Sequence, residues 1–272
     1  MANALIWLGA GDLAQRTVPH LNLKNWQTTA VNRSGEAMNF EATLAADVTS
    51  AASLNTLPAA DHIVYSATPG GRTAENYAAV YEVGLENLLR KIDKTALTRF
   101  IFISSTAVYG PSPNAQNEAS ALNPPAFNGE ALVKAEQFLR SELGDKLTVI
   151  RFTGLYGPGR NFLFNRLRDG KITVNPAADN YANRIHIADA ARACAHVLQL
   201  AKPADCYLGT DSTPLPISQL YTQVAQLLNA PTPTLDSALA YDSKHFSNQR
   251  LINSGFNFLY PNTLQGYQAL LD

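Results

Sequence analysis

The chain opens on an apolar run, Leu5-Ile6-Trp7-Leu8, too short for a helix and ended at once by glycine, which predicts a buried strand. Gly9-Ala10-Gly11 follows, and residues 12–23 then place Leu13, Val18 and Leu21 at helical spacing, with Pro19 as a kink. The same alternation repeats down the chain. Thr28-Thr29-Ala30-Val31 predicts a second strand, a third ends near Ala46-Asp47-Val48, residues 51–57 form a helix, and His62-Ile63-Val64-Tyr65-Ser66 is a fourth strand. Tyr77, Val80, Leu85, Leu88 and Leu89 mark one face of a long amphipathic helix over residues 73–91. A strand at 99–104, a helix at 132–143 and a strand at 147–152 continue the series. Strands alternating with helices imply right-handed crossovers, and so a parallel, doubly wound α/β sheet of Rossmann type covered on both faces. Past residue 154 the regularity loosens around Gly157-Pro158-Gly159, Asn175-Pro176 and Pro214-Leu215-Pro216. The pattern therefore predicts a core over residues 1–153 and a mixed region over 154–272 that adds a smaller lobe, with a helix at 185–201 returning to the core sheet.

Composition narrows the class. The chain has 272 residues, 46% hydrophobic and 16% charged, which suits a soluble globular protein with a full core. A formal net charge of -1 gives no attraction for nucleic acid or an anionic membrane, so neither is expected as a partner. Cys194 and Cys206 are too few for a disulfide framework, and no His, Cys, Asp or Glu spacing suits a metal. The opening segment breaks at Gly9 before an apolar signal-peptide core is complete, so a cytoplasmic protein is expected.

Strand, G-x-G-x-x-A and helix together form a dinucleotide-binding fingerprint. Gly9 makes the turn, Gly11 leaves room for a pyrophosphate, Ala14 lets the helix lie close to the sheet, and Asp12 and Leu13 open the helix beneath the phosphates. The competing reading is a small-residue packing turn. At the end of the second strand, where an acidic residue takes the ribose hydroxyls in NAD-specific proteins, this chain has Asn32-Arg33-Ser34. An arginine there suits a 2′-phosphate, which favours NADP over NAD; the alternative is a solvated arginine beside a turn serine. Asp47 and Val48 are candidates for the adenine, or Asp47 for a helix cap. Ala67-Thr68-Pro69, in the small-residue loop after the fourth strand, leaves room for the rest of the cofactor.

Arg99-Phe100-Ile101-Phe102-Ile103-Ser104-Ser105-Thr106-Ala107-Val108-Tyr109-Gly110 resembles the extended short-chain dehydrogenase/reductases, also called the NAD-dependent epimerase/dehydratase family. The helix around Gly84 and Asn87-Leu88-Leu89, the segment Arg151 to Gly159 and the segment Asn183-Arg184-Ile185-His186-Ile187-Ala188-Asp189 are similar to further family motifs in the family's order. The resemblance implies that Ser105 hydrogen-bonds a reacting oxygen. It also implies a Y-x-x-x-K pair, in which a tyrosine exchanges the proton. Registering on Lys134 puts Glu130 in the tyrosine's place, and registering on Glu136-Gln137 puts Asn128 and Leu132 at the two positions; neither supplies the tyrosine. With the G-x-G-x-x-A spacing, and with Phe246 to Leu251 and Tyr260-Pro261 in the tail, the departure resembles the family's atypical subgroup. Glu130, Tyr109 or substrate-bound water then stands as candidate proton donor, and Tyr109, Tyr156, Arg160, Arg184 and His186 as candidate contacts to a small polar, sugar-like substrate. For Tyr156, Arg160 and His186 the alternative is packing. A Ser105-His186-Asp189 hydrolase triad is disfavoured because Ser105 lacks the G-x-S-x-G elbow, and Asp189 reads as a helix cap. Two functions follow: an NADP-dependent oxidoreductase or epimerase-like enzyme, or a sensor or assembly module that holds NADP(H) without turnover. The resemblance further implies a homodimer through the helices after the fourth and fifth strands.

Overall fold

In the computed structural model, which describes residues 2–271, the strands in chain order are β1 (Asn3–Leu8), β2 (Trp26–Asn32), β3 (Ala42–Ala45), β4 (His62–Tyr65), β5 (Arg99–Ser105), β6 (Leu147–Phe152), β7 (Gly154–Tyr156), β8 (Thr173–Val174), β9 (Arg184–His186), β10 (Cys206–Gly209) and β11 (Thr234–Leu235). Seven of them make one sheet in the order β10-β6-β5-β4-β1-β2-β3, while β7 pairs with β9 and β8 with β11. The pairing is parallel, with Trp7 opposite Ala30 on one side and Val64 on the other. Chain order reverses between β1 and β4, which is where open α/β sheets form a crevice at the carboxyl ends of their strands. Leu5, Ile6, Trp7 and Leu8 are all buried because helices cover both faces, so this strand reads as a continuous apolar run rather than an alternation.

The helices are α1 (Asp12–Thr17), α2 (Ala74–Ala78), α3 (Gly84–Lys91), α4 (Phe127–Leu143), α5 (Phe162–Arg168), α6 (Ile187–Gln199), α7 (Ile217–Leu227), α8 (Gln249–Asn253) and α9 (Thr263–Gln268). Several differ from the sequence expectation. The helix expected over 12–23 stops at Thr17 and tightens into a 3-10 turn at Val18–His20, because Pro19 has no N–H to continue the α pattern. The segment at 51–57 is likewise a 3-10 helix, Ala51–Thr56. The long helix expected over 73–91 contains a wider π-helical turn, Ala79–Val83, between α2 and α3. The Tyr65 phenol donates to the Val80 carbonyl inside that turn (2.6 Å), and Gly84 leaves the space: a Cβ there would stand 2.7 Å from the phenol oxygen. α4 begins at Phe127, five residues ahead of the expected start, and Gly129 lets its first turn lie directly on the Ala107 carbonyl. Residues 184–186 are strand β9, and only from Ile187 does the chain become helical.

By internal contacts the chain divides into two compact units. The first comprises Met1–Tyr109, Leu122–Arg151 and Ala191–Tyr207, with Trp7, Tyr65, Phe100, Phe102, Leu85 and Leu88 fully buried in its core. Its buried Arg99 donates to the carbonyls of Val197, Leu198, Leu200 and Ala201, where α6 ends and acceptors are left over. The second comprises Gly110–Ala121, Phe152–Ala190 and Leu208–Asp272, and packs Tyr156, Leu163, Phe164, Leu167, Leu220, Val224 and Tyr267 together. Asp189 is not a cap. Its buried carboxylate accepts from the Leu259 and Tyr260 N–H groups (2.7 and 2.8 Å), fastening a distant tail segment. Among the described residues no helix is long and apolar enough to cross a membrane, and no group of three metal-ligating side chains is assembled.

Candidate functional site

A cleft of about 670 Å³ lies in the first unit, where the segments that follow β1, β2, β3 and β4 converge. Gly9, Gly11, Asn32, Arg33, Ser34, Asp47, Val48, Ala67 and Thr68 all line it. The sequence reading missed Gln15, Glu36, Asn76, Ala79 and Val80, several of which reach the wall through turns that periodicity does not describe. Asp12, Leu13 and Pro69 do not line it. The Asp12 carboxylate instead pairs with Arg16 one helical turn on (2.5 Å), and the Leu13 carbonyl accepts from Thr17.

The two glycines of the fingerprint do different work. Gly9 has φ +77°, and a Cβ there would overlap the backbone of Ala67, so this glycine permits a backbone crossing. Ser66 fixes the crossing by accepting from the Trp7 indole (2.7 Å) and donating to the Gly9 carbonyl (3.0 Å). Gly11 has an ordinary φ of -96°, and a Cβ there would meet only the Gly9 carbonyl oxygen, at 3.9 Å. A side chain at Gly11 would therefore occupy the cleft rather than protein.

At the cleft's far wall Asn32 is a fastener rather than an open ligand. Its amide nitrogen donates to the carbonyls of Ala10 (3.1 Å) and Glu36 (2.8 Å), and its amide oxygen accepts from the Ser34 hydroxyl (3.0 Å) and the Gly35 N–H (2.8 Å). Arg33 is exposed, its guanidinium beside Gly70 and close enough to Asp47 to favour that carboxylate. The Thr49 N–H and hydroxyl, with Arg33 adding a smaller share, hold the Asp47 carboxyl below its ordinary range. Val48 is held by Asn87, which donates to its carbonyl (3.1 Å).

The candidate catalytic residues lie on α4 and at the end of β5. Ser105 is partly buried, and its Oγ accepts from the Ala107 N–H (3.2 Å). Glu130 and Lys134 are both exposed, on the side of α4 away from the buried Leu132, Ala135, Glu136 and Leu139, and Lys134 lies 3.8 Å from Glu82. The buried carboxylate of this helix is Glu136, which receives the Ser104 hydroxyl (2.6 Å) and a bidentate contact from the Arg151 guanidinium. Arg151 also donates to the Tyr109 phenol, which is fully buried and which burial pushes up to about 12. Tyr109 is thus part of a buried charge network.

In the second unit Tyr156 and His186 are buried side by side, their rings 5.1 Å apart, and His186 Nδ1 accepts from the Ala188 N–H (3.2 Å). These are core positions. Arg184 differs: it lines a cavity of about 650 Å³ with Tyr181, Tyr221 and Lys244, and donates to the Tyr221 phenol (2.8 Å).

Comparison with known proteins bears on the fold and the family. The Escherichia coli K12 protein YeeZ is 30% identical over 170 residues, 62% of this chain, and the match spans about three fifths (61%) of that relative's own length. A solved structure from Methylobacillus flagellatus, provisionally designated an NAD-dependent epimerase/dehydratase, is 29% identical with a TM-score of 0.84, covering 100% of this chain and 98% of that one. The dTDP-4-dehydrorhamnose reductase of Bacillus anthracis, solved in complex with NADP, shares the fold at 18% identity, with a TM-score of 0.78 and coverage of 100% and 99%. Residues 6–208 match the NAD-dependent epimerase/dehydratase family, and with three quarters of its length inside that match and the strand order of the fold in place, the chain belongs to that family.

Proposed function

We propose that this protein binds NADP(H) in the cleft of its first unit and acts as an oxidoreductase or epimerase-like enzyme on a small polar substrate. The observation that carries the cofactor reading is Gly11, the one fingerprint position where an added side chain would fill the cleft instead of meeting protein. Arg33 supplies a cation where a 2′-phosphate would lie, the Ser34 hydroxyl being given to Asn32; Glu36 on the same loop opposes it, and comparing NADPH with NADH measures which charge wins. Gly11→Leu is expected to weaken NADPH binding by about 100-fold or more while leaving the melting temperature of the unliganded protein within about 2 °C. Equal affinities for variant and wild type in a fluorescence titration would place the dinucleotide elsewhere.

When bound, the dinucleotide supplies hydride exchange at its nicotinamide. The chain's own contribution centres on Ser105, whose Oγ accepts from Ala107 and so keeps its O–H to donate to a substrate oxygen. The burial of Glu136 favours registering α4 on Glu136-Gln137, the reading in which Asn128 and Leu132 stand at the tyrosine and lysine positions. An amide does not titrate near neutral pH and leucine carries no charge, so the proton comes from elsewhere, such as water or the substrate itself. In an NADPH-oxidation screen over carbonyl compounds and nucleotide sugars, Ser105→Ala is expected to lower turnover at least about tenfold, and Lys134→Met and Glu130→Gln to leave it within about twofold. The replaced tyrosine favours a second reading, a module that holds NADP(H) without turnover. Tight NADPH binding with no oxidation across that screen is the result that selects it.

A further inference from the structure

Asn32 stands where the simplest expectation is a contact to the cofactor's ribose, yet protein groups fill its hydrogen-bonding capacity. A side-chain amide has two N–H donors and two lone pairs on oxygen. Here the donors go to the carbonyls of Ala10 and Glu36, and the oxygen takes the Ser34 hydroxyl and the Gly35 N–H. Carbonyls on one side and donors on the other fix which end of the amide is which. The loop it closes is tight in other ways: Gly35 has φ +72°, a Cβ there would stand 3.0 Å from Ala45 Cβ, and Ser34 Oγ also accepts from the Glu36 N–H (3.2 Å). Between Asn32 and Ser34 the exposed Arg33 side chain, the one cation of the loop, is carried over the cleft toward Gly70 and Asp47, with Glu36 exposed on the same loop. The same amide reaches Ala10 in the fingerprint turn, so it joins the pyrophosphate end of the cleft to the wall that carries Arg33.

We infer that Asn32 is a positioning residue for dinucleotide selectivity: it contributes no bond to the cofactor and acts by holding the 32–36 loop so that Arg33 meets the 2′-phosphate. This rests on the NADP reading of the cleft. Asparagine suits the role and aspartate does not, because a carboxylate has no N–H for the two carbonyls and would face both with negative charge. Removing the amide frees the loop and lets the Arg33 guanidinium disperse into solvent, a loss felt by the ligand that carries the extra phosphate.

The test is a double-mutant cycle of Asn32→Ala and Arg33→Ala, read as dissociation constants for NADPH and NADH. Asn32→Ala is expected to weaken NADPH about tenfold and NADH no more than about twofold, and to add little once Arg33 is already alanine. Equal weakening of both cofactors means a ribose contact or general disorder and overturns the inference, as does a loss that adds in full to that of Arg33→Ala. Asn32→Ser, which retains one oxygen for the Gly35 N–H, replaces the alanine variant if that one does not fold and is expected to shift selectivity in the same direction. Wild type that binds neither dinucleotide, or prefers NADH, overturns the cofactor reading itself. Wild type that prefers NADPH, with an unchanged ratio in Asn32→Ala, overturns only the role given to Asn32.

Discussion

Gly9→Ala is expected to cost at least about 3 kcal/mol of folding stability, more than any surface substitution in the chain. The residue has φ +77°, and an added Cβ would overlap the amide nitrogen and Cα of Ala67 and come within 2.6 Å of the Ser66 carbonyl carbon. Those are backbone atoms, and neither side can retreat. The Gly9 N–H is bonded to the Val31 carbonyl (2.9 Å), and Ser66 is held between the Trp7 indole and the Gly9 carbonyl. Urea denaturation followed by circular dichroism measures the loss. A variant that unfolds within about 1 kcal/mol of wild type would show that the β1 turn and the segment after β4 can part, and would remove the distinction drawn between Gly9 and Gly11. If the distinction holds, the first glycine of the fingerprint affects the fold and the second affects the ligand.

The second large effect belongs to the buried pair beneath Ser104. Arg151→Leu leaves the Glu136 carboxylate in the core without its cation, and the expected cost is about 3–5 kcal/mol. The Tyr109 phenol loses a partner in the same change. Glu136→Leu added to Arg151→Leu is expected to recover more than half of the loss, since two well-packed apolar side chains avoid the uncompensated charge. Thermal and urea melts of the two variants separate a charge effect from a packing effect. A double variant no more stable than the single one would mean that the shape of the arginine, and not its charge, is what the core needs.

The parts of this protein legible in its sequence are those whose cause is local. Apolar runs such as Leu5 to Leu8 and Arg99 to Ser104 state their own burial, and a strand-glycine-helix junction places the cleft. Where partners lie far along the chain, local reading fails. Lys134 and Glu136 are two residues apart on one helix, and nothing nearby says which faces inward; Arg151 and Ser104 decide it, 15 and 32 residues away. Asp189 has the position of a cap, but its partners are 70 and 71 residues downstream. Tyr109 and Tyr156 sit in motif segments that suggest exposure to a substrate, yet large rings near a core gain most by being buried, and the structure buries both. Asn32 was legible as part of the cleft wall and illegible as a fastener, because its role depends on the carbonyls of Ala10 and Glu36.

The wide turn at Ala79–Val83 gives the helix that contains it two phases. Tyr77, Tyr81, Leu85 and Leu89 succeed one another every fourth residue, and in a uniform α-helix each such step would drift by about 40° around the axis, carrying the last far from the first. The extra residue in the turn absorbs that drift, with the Val80 carbonyl held by Tyr65. Asn76, Ala79 and Val80 therefore face the cleft on one phase, while Leu85, Leu88 and Leu89 face the core on another. Val80 belongs to both sets, lining the cleft while its carbonyl is tied to the buried Tyr65, so a substitution that reshapes this stretch of the cleft wall is felt in the protein's interior.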